Sequence, residues 1–531
     1  MKSNSAAPES SEKPPLNPYL TILILTLATF MEVLDTTIAN VALPRIAGDL
    51  SVSPNEVVWV LGSYLVANAA ILPISGWLAT YFGRKRYYMA CVLLFTISSV
   101  LCGLSWNLES LIFFRILQGL SGGGLAPSEQ AIIADITPQE KLGRAFSIYG
   151  FGLAVAPVIG PTLGGFITDT FSWHWIFFIN LPIGIISLIL TGLFVQESKQ
   201  AERVQKEFRR EGGTVDWVGI VLFVTGIAAF QIVLEKGPQE GWFESDFVVV
   251  AATISFFSIL IGATWEYYQK QPAVDILMFK NPAFAGACGL IFTIGFVTTG
   301  SIFIVPFMAQ TLLGYTAMDA GMVGLPAAIV LMIMIQVVGF LIDKFDIRKI
   351  ILFGLAASGL AVWNLSSFNL QVDFYTIAWA RAFQSFGLAF LAVSVNTAAY
   401  YDIKPEKNNS ASALLNLARN VGASVGIALT STIIVLQTQV HINNLGYHAS
   451  DFNPNYVQAL DNLATAFKHQ GLTIAQSAGL AQGVIWETIV RQASMKAILD
   501  AFQFYLILFV CVLPLVFLLK KKKPDASASG H

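Results

Sequence analysis

The chain has 531 residues, 55% of them hydrophobic and only 12% charged, with a formal net charge of −2. A soluble protein carries about a quarter charged residues, so water is not the main solvent here, and the near-neutral balance excludes a basic surface for nucleic acid. The four cysteines, Cys91, Cys102, Cys288 and Cys511, fall inside apolar runs without the spacing of a metal site or a disulfide framework, and read as core fillers.

A transmembrane helix takes about twenty apolar residues, because only a helix satisfies its own backbone polar groups in lipid. The tail 1–17 is polar and lacks the positive start and cleavage site of a secretory signal, so the first apolar run is expected to be a retained span. Spans are expected over 18–42, 56–80, 87–105, 109–134, 144–168, 174–195, 216–234, 247–268, 283–311, 317–342, 349–368, 374–400, 410–436 and 500–519. The predicted fold is an all-α polytopic membrane protein of about 14 transmembrane helices. Its expected parts are a cytoplasmic tail 1–17, a six-helix half 18–196, a cytoplasmic linker with two inserted helices 197–270, a second six-helix half 271–519 and a cytoplasmic tail 520–531. The second half contains a polar connection of about sixty residues around 437–499, a length that marks functional or disordered loops; within it Val484, Ile485, Ile489, Met495 and Ile498 alternate with Glu487, Arg491 and Lys496, the pattern of a partly amphipathic helix that can dock a partner or rest on the protein's own rim or the lipid surface.

Basic residues set the orientation. Loops on the side of the N-terminus carry Arg84, Lys85, Arg86, Lys141, Arg144, the cluster 199–210, Lys270, Lys280, Lys344, Arg348, Lys349, Lys404, Lys407 and the run 520–523. Opposite loops hold only Arg45, Lys236, Lys468, Arg491 and Lys496. The positive-inside rule therefore places both termini in the cytoplasm and the long connection outside a bacterial inner membrane.

The chain repeats itself. Gly76-Trp77-Leu78, leading to Phe82-Gly83-Arg84-Lys85, is echoed by Gly339-Phe340-Leu341, leading to Phe345-Asp346-Ile347-Arg348-Lys349. Arg115-Ile116-Leu117-Gln118 is echoed by Arg381-Ala382-Phe383-Gln384 at nearly the same offset. Duplicated halves of this kind mark transporters that rock around a midplane site.

Ionisable groups at membrane depth are costly, so each is a functional candidate. Glu32 and Asp35 lie three residues apart, on one helix face, and Arg115 enters its own span to a similar depth from the same side. Burial and a neighbouring guanidinium act on a carboxylate in opposite senses, and a site so placed can gain and lose a proton. The alternative is that Asp35 and Arg115 only tie helices together. Glu32 can face an aqueous cavity passively, and Glu129 reads equally as a gate contact, a snorkelling group or a substrate contact. Aromatic residues such as Phe30, Tyr64 and Phe303 are candidates to line a pocket by stacking and cation-π contact, or to face lipid and neighbouring helices. No phosphate-cradling or metal-ligating pattern occurs, so neither an ATP-driven pump nor a cofactor is indicated, and no catalytic cluster points to an enzyme.

These residues resemble the major facilitator superfamily, and within it the fourteen-span drug:proton antiporters of the EmrB/QacA type. The resemblance rests on Leu34-Asp35-Thr36-Thr37-Ile38-Ala39-Asn40-Val41-Ala42, on the small-residue run 156–165, and on Trp173-His174-Trp175-Ile176-Phe177-Phe178-Ile179-Asn180-Leu181-Pro182-Ile183-Gly184. The loop motif at 76–86 and Arg115-Ile116-Leu117-Gln118-Gly119 are less specific. The resemblance implies proton exchange through Asp35 and Arg115, beside which Glu32 is a candidate by its spacing, and a central cavity between the halves, for which Phe30, Asn40, Tyr64, Gln118, Glu129 and Phe303 are the candidate lining residues. It also implies an antiporter signature at Pro157, Gly160, Pro161, Gly164 and Gly165, and an inner gate at Gly76, Gly83, Arg84, Asp343 and Arg348. Thr80 departs from the acidic residue of the loop motif, whereas Asp343 keeps it. The function so implied is export of lipophilic or cationic drugs in exchange for protons, with an endogenous lipid, fatty acid or siderophore-like product as the alternative cargo. The implied partners are membrane lipids, a periplasmic adaptor and an outer-membrane channel.

Overall fold

The computed structural model describes residues 17–210, 215–450 and 452–520. The expected tails therefore lie outside the described residues except for Asn17 and Lys520. Helices follow one another along the chain, with no strand among the described residues. They are α1 (Pro18–Leu50), α2 (Trp59–Phe82), α3 (Arg84–Gly103), α4 (Leu108–Gly122), α5 (Leu125–Ile136), α6 (Leu142–Thr170), α7 (Asn180–Phe194), α8 (Lys199–Arg210), α9 (Trp217–Lys236) and α10 (Asp246–Tyr268). There follow α11 (Pro282–Thr311), α12 (Leu325–Lys344), α13 (Ile347–Leu365), α14 (Phe374–Tyr400), α15 (Asn408–Gly446), α16 (Pro454–His469) and α17 (Ile474–Leu518).

Thirteen helices are long and apolar enough to cross a membrane among the described residues. The consecutive pair α4 and α5, interrupted at Gly123 and Gly124, accounts for the remaining expected span at 109–134. Local chemistry sets the ends. Asn17 caps α1 by accepting from the Tyr19 amide, with Pro18 at the first helical position. Asp373 caps α14; the Thr376 hydroxyl, with backbone amides, holds its carboxyl below the usual range.

Two features differ from expectation. The polar stretch 437–499 is not an irregular loop: α15 runs 39 residues and α17 runs 45, with α16 between them. At 1.5 Å per residue these rods are about 58 and 68 Å long, against a hydrocarbon core of about 30 Å. Their overhangs form a helical hairpin. Thr473 starts α17 with a reciprocal cap to Gln476, and His441 on α15 meets Asp500 on α17 at 2.7 Å near the base of the hairpin. Lipid compatibility dictates apolar residues only within the bilayer, so the polar overhang is not recognisable by hydropathy. The second difference is Cys511, which is exposed on α17 rather than part of the core, while Cys91, Cys102 and Cys288 are buried.

The bundle thus has a hairpin end, where α15 and α17 overhang, and an opposite, termini end. The helix α9 packs beside α2 and α15, with α10 against it; Gln231 on α9 donates to Ser424 at 2.8 Å, and Trp242 in the turn before α10 donates to Thr432 at 2.9 Å.

Candidate functional site

Three helices, α1, α4 and α7, meet at the Asp35 carboxylate. Its carboxylate is 2% exposed. Oδ2 accepts from Arg115 Nη1 at 2.5 Å, while Oδ1 accepts from Gln118 Nε2 at 2.9 Å and from Asn180 Nδ2 at 2.6 Å. Arg115 is fully sealed, at 0% exposure. It donates to the Val60 carbonyl at 2.9 Å and to Gln118 Oε1 at 2.7 Å, and its guanidinium lies 4.4 Å from the Tyr64 ring centroid. Removing either charge would strand the other in a medium that solvates it poorly. Sequence reasoning assigned no role to Asn180 or to Ser99, which receives its second hydrogen bond at 2.9 Å. Each is a neutral polar residue in an apolar span, a weak signal that names no partner until the helices pack.

One turn toward the termini end, Glu32 is half-buried. Its Oε1 accepts from Tyr64 Oη at 3.1 Å and from Asn68 Nδ2 at 2.9 Å. Tyr64 thus touches Arg115 with its ring and Glu32 with its hydroxyl. A further turn along, Thr29 holds both oxygens of Glu129, through its amide at 3.2 Å and its hydroxyl at 2.5 Å. Glu129 and Gln118 have no exposed surface. The structure therefore places these two expected cavity residues inside the helix packing. Phe30 and Phe303 are half-buried, Phe303 stacks on Phe307 at 5.9 Å, and Asn40 is exposed toward the hairpin end of α1.

The glycines of the expected antiporter signature meet α1. A Cβ on Gly160 would lie 2.1 Å from Thr37 Oγ1, and one on Gly164 would lie 3.2 Å from Ile38. Only hydrogen fits at Gly160, which is how α6 approaches α1 so closely. Gly165 faces open space, and Pro157 and Pro161 are exposed.

At the termini end the first six crossings meet the last six. Arg84 forms a buried ion pair with Asp135 and donates to the Pro405 carbonyl at 3.2 Å. Asn408 donates to Asp135 and Asn409 to the Thr80 hydroxyl, each at 2.8 Å. Thr80, lacking the expected carboxylate, thus joins the same contact as a neutral acceptor. Gly76 lies under Asn409, whose carbonyl would be 2.7 Å from an added Cβ, and Gly83 turns the chain with φ +94°. Asp343 pairs with Arg144 at 2.6 Å. Arg348 is apart from it, donating instead to the Leu519 carbonyl at 2.7 Å. Gln130 and Asn416 bond at 2.8 Å, and Gln336 donates to the Ser147 carbonyl at 3.1 Å. Among the described residues, all the hydrogen bonds and ion pairs joining these two groups of crossings lie toward the termini end. Toward the hairpin end, Asn40 on α1 and Pro161 and Thr162 on α6 are exposed.

A bundle of apolar crossings in two parts joined toward one end, with polar side chains sealed at its middle, is the architecture of a membrane transporter. The chain belongs to the major facilitator superfamily, whose family profile matches residues 25–427. It is 33% identical over 509 residues to the multidrug export protein EmrB of Escherichia coli (strain K12), covering 96% of each chain. It is also 33% identical over 514 residues to the fatty acid resistance protein FarB of Neisseria gonorrhoeae, covering 96% of this chain and 97% of that one. Among solved structures, a double tryptophan mutant of XylE matches with a TM-score of 0.62 at 13% identity, over 96% of this chain and 97% of that one. The human organic anion transporter MFSD10 matches with a TM-score of 0.59 at 12% identity, over 94% and 100%. At those identities the likeness is one of fold. The chain is a multi-pass membrane transporter of EmrB type, not an enzyme.

Proposed function

We propose that this protein exports lipophilic drugs and toxic compounds across the bacterial inner membrane in exchange for protons, by alternating access between its first and last six crossings. The observation that carries the reading is the sealed Asp35 and Arg115 pair, linked through Tyr64 to the more accessible Glu32. A proton arriving at Asp35 removes the charge that balances Arg115, so protonation must repack α1 against α4. A lipophilic cation near Glu32 favours the ionised carboxylates, and by linkage proton release strengthens cation binding. Mutual exclusion of proton and cargo is what exchange requires.

The positive-inside distribution supports a cytoplasmic termini end and a periplasmic hairpin. The contacts at the termini end then correspond to a closed cytoplasmic gate, with cargo leaving past Asn40. The hairpin is the proposed dock for a periplasmic adaptor that hands cargo to an outer-membrane channel. A second cargo class, fatty acids, is favoured by the 33% identity to FarB over nearly the whole chain.

The test is transport by reconstituted vesicles under an imposed pH gradient. Asp35→Asn is expected to lower the melting temperature and, in the fraction that folds, to abolish proton-driven efflux, and Glu32→Gln to reduce it; full pH-driven transport by folded Asp35→Asn protein would overturn the assignment.

A further inference from the structure

Arg115, Gln118 and Asp35 stand at one common offset, about 266 residues, from Arg381, Gln384 and Ser301. The two sets build the same arrangement. Gln118 Nε2 donates to Asp35 at 2.9 Å, and Gln384 Nε2 donates to Ser301 Oγ at 2.9 Å. Arg115 donates to Gln118 Oε1, and Arg381 to Gln384 Oε1. The difference is charge. Where Arg115 and Gln118 both donate to a carboxylate, Arg381 donates to Gln384, whose amide donates to a hydroxyl, and among the described residues no acidic side chain forms an ion pair with Arg381. The titratable group that bears on Arg381 is the phenol of Tyr505, itself bonded to Thr430 at 2.6 Å. A second difference is access: Arg381 retains 8% exposure, whereas Arg115 has none.

A guanidinium at membrane depth without a counter-charge is costly and calls for an anion. Arg381 lies seven residues into α14, roughly 10 Å from its start. Its planar fork suits a carboxylate better than any neutral group. We propose that Arg381, positioned by Gln384 and Ser301, which have no exposed surface, receives through its own exposed edge the carboxylate of a transported amphiphilic monoanion. The site rests on the efflux reading above and narrows it: one class of cargo is a single-chain organic acid, neutralised in the second half while protons are handled in the first. The missing acid of the repeat is then supplied by the cargo.

The test compares radiolabelled dodecanoate with dodecyltrimethylammonium, which has the same chain and the opposite charge, on purified protein in phosphatidylcholine vesicles. Two variants are used. Arg381→Gln removes the guanidinium; Ser301→Asp restores the acid that the first copy already accommodates and neutralises Arg381 from within. Both are expected to weaken dodecanoate binding about tenfold or more, the loss of a charge-assisted pair, and to leave the cation within about twofold. Where Arg381→Gln fails a thermal-melting check, Ser301→Asp decides. Wild-type protein that binds and moves neither amphiphile refutes the efflux reading and this site with it. Wild-type protein that moves both, with dodecanoate affinity unchanged in folded variants, refutes the site alone. Equal loss of both amphiphiles in the variants assigns Arg381 to packing and overturns the proposal. So does loss of dodecanoate binding on adding phosphatidylglycerol, which would make the occupant a lipid headgroup.

Discussion

Arg115 hydrogen-bonds to Val60, Asp35 and Gln118 and lies over the ring of Tyr64, so one side chain joins three helices at a single point. Arg115→Ala should therefore lower the melting temperature strongly, since opening a buried pair from one side costs about 3–5 kcal/mol. Adding Asp35→Asn to it should recover part of the loss, because the stranded carboxylate is removed; a double variant no more stable than Arg115→Ala would contradict the pairing. Gly160 makes a second test. Gly160→Ala sets a Cβ against Thr37 and should destabilise the protein by about 1–3 kcal/mol, with partial rescue by Thr37→Ala, whereas Gly165→Ala meets open space and should be tolerated. Asp35, Glu32 and Arg115 were legible in the sequence because a charge in an apolar run stands out. Asn180 and Asn68 were not, since a neutral amide in a span has no address until helices bring it to a carboxylate. Glu129 was visible, but its burial against Thr29 depends on how α5 meets α1, which periodicity does not reveal.

At the scale of helices, apolar length made nearly every crossing readable, including α4 with α5, whose glycine interruption does not dilute the hydropathy of the whole span. The amphipathic stretch 484–498 showed part of the extension of α17; what the sequence hid was that this stretch is continuous with the last crossing and that α15 also runs on beyond the bilayer, because polar helix and polar loop look alike when judged by fitness for lipid. A cysteine introduced at Asn455 on α16 should react with an impermeant maleimide in intact spheroplasts; protection from the reagent would reverse the orientation. Removing 447–473 takes away the hairpin tip and leaves every buried contact of Asp35 in place. Resistance and adaptor cross-linking should then fall together while vesicle transport persists. Unchanged cross-linking would show that the adaptor docks elsewhere.

For the whole molecule, the contacts at the termini end make the described state closed on that side. A Cβ on Gly143 would lie 3.0 Å from the Cβ of Ile342 across the junction, close to the span of a disulfide. In a protein carrying Cys511→Ser, the pair Gly143→Cys and Ile342→Cys should cross-link under oxidation, stop transport and release it on reduction. Transport that continues through the cross-linked form would mean that this junction never opens.

The helix α15 begins at that junction, with Asn408 and Asn409 in contact with Asp135 and Thr80, and reaches Gly446 in the hairpin without a proline. It is therefore a lever. With a fulcrum near the middle of the bilayer, about 40 Å of rod lies beyond it, so a tilt of about 10° at the gate swings the tip by about 7 Å. Spin labels at Tyr447, just past the end of α15, and at Asn107, which caps the start of α4 at the hairpin end, should report that swing as a change in distance when a pH gradient and cargo are supplied, and an unchanged distance distribution would count against it. An adaptor seated on the hairpin would then be worked mechanically, feeling each turnover of the gate without touching cargo or proton.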